Sequence, residues 1–441
     1  MKNLHRRILT AALLSGASFS NYTPTLGQDP SVQKTVNVLA SDESSHCNSL
    51  CDADLCNPTC DSIGGKNTNQ WNLFPQNGIL KFHGWVDAGF LGNTQSPASR
   101  FNGPYNSVDR SNEPMFNQGY LIAETALPSN GGSWIGARMD TLYGEDYLLA
   151  QSIGMERRPS GAKHWNGHEY YGVAIPQAFA EVGSKELSVK AGHFYSPVGY
   201  EGVMSPENFF YSKSYSYQFA GPFTHWGLIT TWKPNSSWQI QNGVTNGWDA
   251  LDRTKDRMGV LFSAKYTSDQ WWSSFAITTG DETNNLAGLP GVTAAFTNRT
   301  RASWLTGLDL TEKTKYVFHY WQGYQANALA NGGNADWWGI DQYVYRQVSN
   351  QVRHGIRTEW FNDQDGTRLG LNRASNPNNA PFIGEIYSLA YGINYTPNSN
   401  LIIRPEIRAD WFDRKQGGSL PFDDGTNSRQ LTLGGDAVFK F

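Results

Sequence analysis

From about residue 80 to its last residue the chain is a series of segments in which apolar and polar side chains alternate. The clearest runs from Leu401 to Trp411: Leu401, Ile403, Pro405, Ile407, Ala409 and Trp411 fall on one face, Arg404, Glu406, Arg408 and Asp410 on the other. Successive side chains of a strand point to opposite sides, so a period of two predicts a strand with one apolar and one charged face. The pattern recurs at Lys81 to Leu91, Arg257 to Tyr266 and Leu431 to Phe441. Further segments lie near 117–127, 133–141, 173–183, 186–195, 223–233, 237–245, 271–280, 299–310, 314–322, 337–348, 350–361 and 384–395. Together they predict about sixteen strands of about ten residues, the length a tilted strand needs to cross a bilayer.

The connections sharpen this reading. Short turns such as Gly183-Ser184-Lys185, Lys233-Pro234-Asn235-Ser236, Thr267-Ser268-Asp269-Gln270 and Thr311-Glu312-Lys313 alternate with much longer loops. In a closed antiparallel barrel every other connection lies on the same rim, so the alternation predicts one rim of short turns and one of long loops. This is the all-β architecture of a transmembrane barrel, with the short turns periplasmic and the long loops extracellular. Tyr387, Tyr391, Tyr395, Phe439 and Phe441 fall on apolar faces near strand ends, where an interfacial aromatic girdle belongs. A soluble propeller or sandwich also has many short strands, but it explains neither the loop alternation nor a charged face opposite every apolar one.

Composition narrows the class. A formal net charge of -4 argues against a nucleic-acid partner, and 16 Trp, 21 Tyr and 22 Phe argue against a disordered chain. No run of eighteen or so apolar residues follows the first twenty, which excludes a helical polytopic membrane protein. Lys2, His5, Arg6 and Arg7 precede an apolar stretch, Ile8 to Leu14, and small residues Ser15 to Ser18. These read as an export signal over 1–20, cleaved between Ala17 and Gln28; a buried N-terminal helix is the alternative. Residues 21–75 form a polar, flexible periplasmic extension, and 76–441 the barrel. The extension carries all four cysteines, Cys47, Cys51, Cys56 and Cys60. Export favours two disulfides in one of three pairings, with a zinc site as the alternative.

The run Gly192-His193-Phe194-Tyr195-Ser196-Pro197-Val198-Gly199-Tyr200-Glu201, then Phe209-Phe210-Tyr211-Ser212-Lys213-Ser214-Tyr215, then Gly221-Pro222-Phe223-Thr224-His225-Trp226-Gly227, resembles the putative β-barrel porin-2 (OmpL-like) family of bacterial outer-membrane proteins. The resemblance spans about Leu80 to Phe441 and does not reach the cysteine-bearing extension. It implies a passive pore in the outer membrane. A terminal Phe441 on an alternating strand resembles the signal read by the outer-membrane assembly machinery. General porins of this strand number often form homo-oligomers, an analogy of fold alone.

On these strand faces the lumen receives Arg138, Arg299, Arg301, Arg353, Arg357, Arg404 and Arg408, with Lys190, Arg257, Lys265 and Lys315. Against them stand Asp87, Glu124, Asp140, Glu181, Asp309, Asp341, Glu359, Glu406 and Asp410. The slight excess of cations predicts a wide channel with a weak anion preference, since charged rings set selectivity through their field. The competing reading pairs these charges across neighbouring strands, where they merely keep the lumen wet. The third long loop, Ser196 to Pro222, holds Glu201, Glu207 and a dense set of aromatics that would rather pack on a wall than face solvent. Folded inward as a constriction, its glutamates would face Arg353, Arg357, Arg404 and Arg408. The other expectation is a purely extracellular loop.

Other chemistry is thin. Asp249 with Asp252, Asp363 with Asp365, and Asp423 with Asp424 are candidate Ca²⁺ ligands without EF-hand spacing. His164 and His168 have a metal-ligand spacing only if their loop is helical. The sequence contains no G-x-S-x-G, Walker loop or H-E-x-x-H. The expected protein is therefore no enzyme: it passes small hydrophilic solutes or ions down a gradient, meets outer-membrane lipid, and needs no cofactor. The alternatives are a secreted carbohydrate-binding protein or glycoside hydrolase, whose two carboxylates would not announce themselves, and a non-conducting barrel that anchors the envelope.

Overall fold

The computed structural model describes residues 71–75, 78–125, 132–158, 162–166, 170–252, 258–283, 296–370 and 381–441. The export segment, the four cysteines, His168 and Arg257 lie outside the described residues. The strands are β1 (Leu80–Asn93), β2 (Pro114–Thr125), β3 (Trp134–Gly144), β4 (Gly172–Gly183), β5 (Leu187–Tyr195), β6 (Thr224–Trp232), β7 (Trp238–Thr245) and β8 (Gly259–Thr267). They continue as β9 (Trp271–Thr283), β10 (Phe296–Thr311), β11 (Thr314–Gln325), β12 (Ala335–Gln347), β13 (Val352–Asp363), β14 (Gly384–Asn398), β15 (Leu401–Arg414) and β16 (Arg429–Lys440). Each pairs antiparallel with its neighbours, and β1 closes on β16 in a register running from Trp85 opposite Lys440 to Asn93 opposite Thr432. Closure leaves no edge with unpaired backbone groups, the condition for strands to cross a bilayer.

The barrel is inside out relative to a soluble sheet. Ile135 is 81% exposed, and Val86, Phe90, Phe275, Trp304, Leu389, Ile407 and Leu433 stand exposed with it. Asp87, Arg138, Asp140, Arg357, Arg408 and Asp410, on the other face, are buried. Such a band of large apolar side chains on the outside of a closed barrel faces lipid, which excludes the sandwich and the propeller. No helix of the described residues is long and apolar enough to cross a membrane.

Short connections (184–186, 233–237, 268–270, 312–313, 348–351, 399–400) share one rim with the ends of the barrel chain, and the long ones share the other. At the short rim Phe441 and Gly84 exchange backbone hydrogen bonds of 2.9 and 3.0 Å. There too Trp71 donates its backbone N–H to Asn400 Oδ1 at 3.1 Å and packs on Phe439, while Phe74 packs on Phe82 and Phe441. Aromatic residues in an otherwise polar stretch find apolar partners at the barrel end.

The expected wide, wet lumen is corrected. Lumen-facing Trp321, Trp337, Phe361, Ile386 and Phe412 form one buried cluster with Tyr105, Tyr211, Tyr215, Phe219, Trp248, Phe382 and Phe422, which the long loops contribute. These loops bring in apolar side chains that would otherwise lie exposed at the rim, so burial drives the loops inward.

Candidate functional site

The largest inward-folded segment is the one connecting β5 to β6, residues 196–223, with a short helix α1 (Tyr215–Phe219). Its aromatics explain its position. Phe209 and Phe210 are buried against Tyr343 and Tyr345 of β12, with the Phe209 and Tyr345 ring centres 4.9 Å apart. The wall is shaped to receive them: a Cβ added to Gly355 of β13 would lie 2.3 Å from Phe209 Cε1.

An irregular segment held inside a barrel has peptide groups without a ladder, and each needs a partner. The wall charges supply them. Arg404 Nη1 donates to the carbonyls of Ser205 (2.6 Å) and Asn208 (2.7 Å), Arg357 Nη1 to Ser212 O (2.7 Å), Arg408 Nη1 to Lys213 O (2.7 Å) and Arg301 Nη1 to Val198 O (2.8 Å). Carboxylates take the N–H groups: Glu406 accepts from Ser212 N (3.1 Å), and Glu359 from Tyr215 N (2.9 Å) and Ser216 N (2.6 Å) at the start of α1. Ser216 Oγ donates to Asp341 (2.6 Å) and Ser205 Oγ to Asp87 (2.5 Å).

The sequence-derived residues therefore come together, mostly in pairs. Arg138 pairs with Asp140 at 2.7 Å and lies 3.6 Å from Glu124. Arg404 pairs with Asp436, and Arg408 with Asp410 at 2.8 Å, its guanidinium against the rings of both Tyr105 and Tyr215. Glu201 pairs with Arg357 at 2.9 Å. Burial pushes its carboxyl pKa up, but the Arg357 guanidinium and the Ser214 N–H outweigh this and hold it below the usual range. Arg299 donates to Gln325 (2.8 Å) and Thr283 O (3.0 Å), and Arg353 stands over the Phe209 ring. Lys315, half-buried, pairs with the exposed Asp309 at the short-turn end.

A narrow cleft lies between the segment and the wall. Glu201, Glu207, Tyr195, Tyr200, Tyr217 and Phe223 line it together with Arg301 and His319. Glu207 thus stands with Arg301 and His319 on the lining of this cleft. His319 was not singled out from the sequence; its Nδ1 lies 2.8 Å from Asp341 Oδ2 and its Nε2 2.9 Å from Ser303 Oγ. Its place on the inward face of β11, in step with Lys315, was the available signal. Glu145, Asp146 and Tyr105 were also missed: Asp146 accepts from Ser107 and Gln118, and Tyr105 donates to Asp410. They lie in loops, where no periodicity marks them.

Three of the candidate Ca²⁺ ligands accept backbone N–H groups. Asp249 takes the N–H groups of Phe223 (3.0 Å) and Thr224 (2.8 Å), Asp363 those of Thr367, Arg368 and Leu369, and Asp424 that of Ser99. His164 Nδ1 bonds Met155 O at 2.9 Å. Among the described residues no three His, Cys, Asp or Glu side chains gather as a metal-binding group.

No curated protein matches the chain. Among solved structures, the outer-membrane channel DcaP of Acinetobacter baumannii is similar with a TM-score of 0.55 and 10% identity, covering 84% of this chain and 100% of the other. An anion-selective porin from Comamonas acidovorans is similar with a TM-score of 0.51 and 9% identity, covering 82% and 99%. The trimer form of OmpT, an outer-membrane protein of Vibrio cholerae, gives 0.50 and 9%, covering 82% and 99%. At such identities these likenesses speak for the fold alone. The family model described as putative beta-barrel porin-2, OmpL-like, matches residues 79–441, the whole of the barrel, and the chain belongs to that family.

Proposed function

We propose that the protein is a passive diffusion channel of the outer membrane for small hydrophilic solutes and ions, narrowed by residues 196–223, with a weak anion preference. The observation that carries this is the hydrogen-bonded seating of that segment on the inner wall, with a cleft left beside Arg301. The wall arginines Arg357, Arg404 and Arg408 are engaged by the segment and by carboxylates, so their field is largely spent on holding it. The anion preference rests instead on Arg301 at the cleft, where a fixed cation raises the local anion concentration. Export by the N-terminal signal and association into a homo-oligomer belong to the same proposal, the latter because a trimer form is named for the Vibrio relative. The reversal potential in a KCl gradient tests the selectivity: chloride preference is expected, and clear cation preference overturns it.

A further inference from the structure

Arg301 differs from the other arginines seated against the segment. Arg357, Arg404 and Arg408 each have a carboxylate partner within ion-pair distance. Arg301 is 3% exposed, it donates to the Val198 carbonyl, and its Nε has no hydrogen-bond partner among the described residues. The segment presses small residues on it: a Cβ on Gly221 would lie 2.3 Å from Arg301 Nη1, and one on Gly199 3.5 Å from Nη2. On the lining of the same cleft the Tyr217 hydroxyl is buried and also lacks a hydrogen-bond partner among the described residues. A buried guanidinium donor and a buried hydroxyl left unmade cost free energy that a ligand can recover. The guanidinium can only donate and the hydroxyl can donate, so a single acceptor satisfies both. A planar carboxylate suits the fork of a guanidinium and takes a hydroxyl hydrogen bond as well.

We propose that this cleft is a binding site for small organic carboxylates in transit, held by Arg301 with the Tyr217 hydroxyl as second donor. The aromatic faces of Tyr195, Tyr200 and Phe223 accept a short apolar body. The site rests on the channel reading, because a solute reaches it through the lumen. Two sources share the chemistry: a simple carboxylic acid, and an amino acid whose ammonium is drawn to the carboxylates on the same lining.

The test uses the full-length protein in a planar bilayer bathed in KCl, with sodium propionate, alanine or ethylammonium chloride added on one side. Saturable interruption of the current by propionate, by alanine or by both supports the site, and alanine alone assigns it to amino acids. Ethylammonium is expected to have no such effect. Arg301→Gln is expected to weaken the block about tenfold or more, and Tyr217→Phe, which removes one oxygen, by a smaller factor of about three. Absence of saturable block by either carboxylate, or equal block in Arg301→Gln, overturns the proposal. If the protein passes no KCl current the channel reading fails separately, and calorimetric titration of the detergent-folded protein with propionate and alanine still decides the site. Tyr217→Phe carries the mutational arm if Arg301→Gln does not fold.

Discussion

Arg357 is completely buried, with Glu201 at 2.9 Å and the Ser212 carbonyl at 2.7 Å as its partners. Removing one member of such a pair strands the other charge. Arg357→Met is therefore expected to destabilise the fold by about 3–5 kcal/mol, read as a lower midpoint of urea unfolding. A midpoint within error of wild type would show that the pair holds nothing. The pH dependence follows from the direction of the Glu201 shift. Its pKa is lowered in the folded protein, so its contribution is fully present above the unfolded value of about 4.3 and is lost as pH falls through the depressed folded value. The difference in unfolding midpoint between wild type and Glu201→Gln should hold steady from neutral pH down to about 5 and shrink only at more acid pH. The charges themselves were legible in the sequence, since Arg404, Glu406, Arg408 and Asp410 alternate with apolar residues on one strand. Their employment was not: which peptide groups Arg404 and Arg408 bind depends on a segment nearly two hundred residues away, and no local pattern encodes that.

Strands were the most legible elements, because a period of two survives any error in placing their ends. β2 begins three residues earlier than the segment expected near 117–127, and a bulge between Asp87 and Ala88 in the pairing with β1 shifts the register there. Phe275, exposed in mid-strand on β9, faces lipid. Phe275→Arg is expected to cost about 2–4 kcal/mol, measured by the folded fraction in urea titrations of the protein in lipid vesicles. No effect there would contradict the assignment of the outer face. The segment connecting β5 and β6 was recognisable by its aromatic density, whereas its contacts with Arg301 and Arg404 were not. Deleting residues 203–217 removes Phe209, Phe210, Tyr211 and Tyr215 from the lumen, and single-channel conductance should rise. Unchanged conductance would place the constriction elsewhere.

At the scale of the molecule, one physical fact decides most of the account: apolar side chains point outward from a closed, edgeless barrel, and charged and aromatic ones fill its inside. The sequence carried the barrel through alternation and loop lengths. It did not carry the filling, because residues of six connections on the long-loop rim, Tyr105, Tyr211, Trp248, Ala328, Phe382 and Phe422 among them, meet only once the strands have closed. A charged face opposite an apolar one reads as a wet lumen until the loops that cover it are known. With so much of the lumen lined by buried groups, conduction is the claim on which the functional reading depends. Single-channel recording of the purified, detergent-folded full-length protein in a planar bilayer tests it most directly. Stepwise, ohmic openings are predicted; protein that inserts yet never conducts would contradict the channel reading and make the barrel a closed anchor of the envelope.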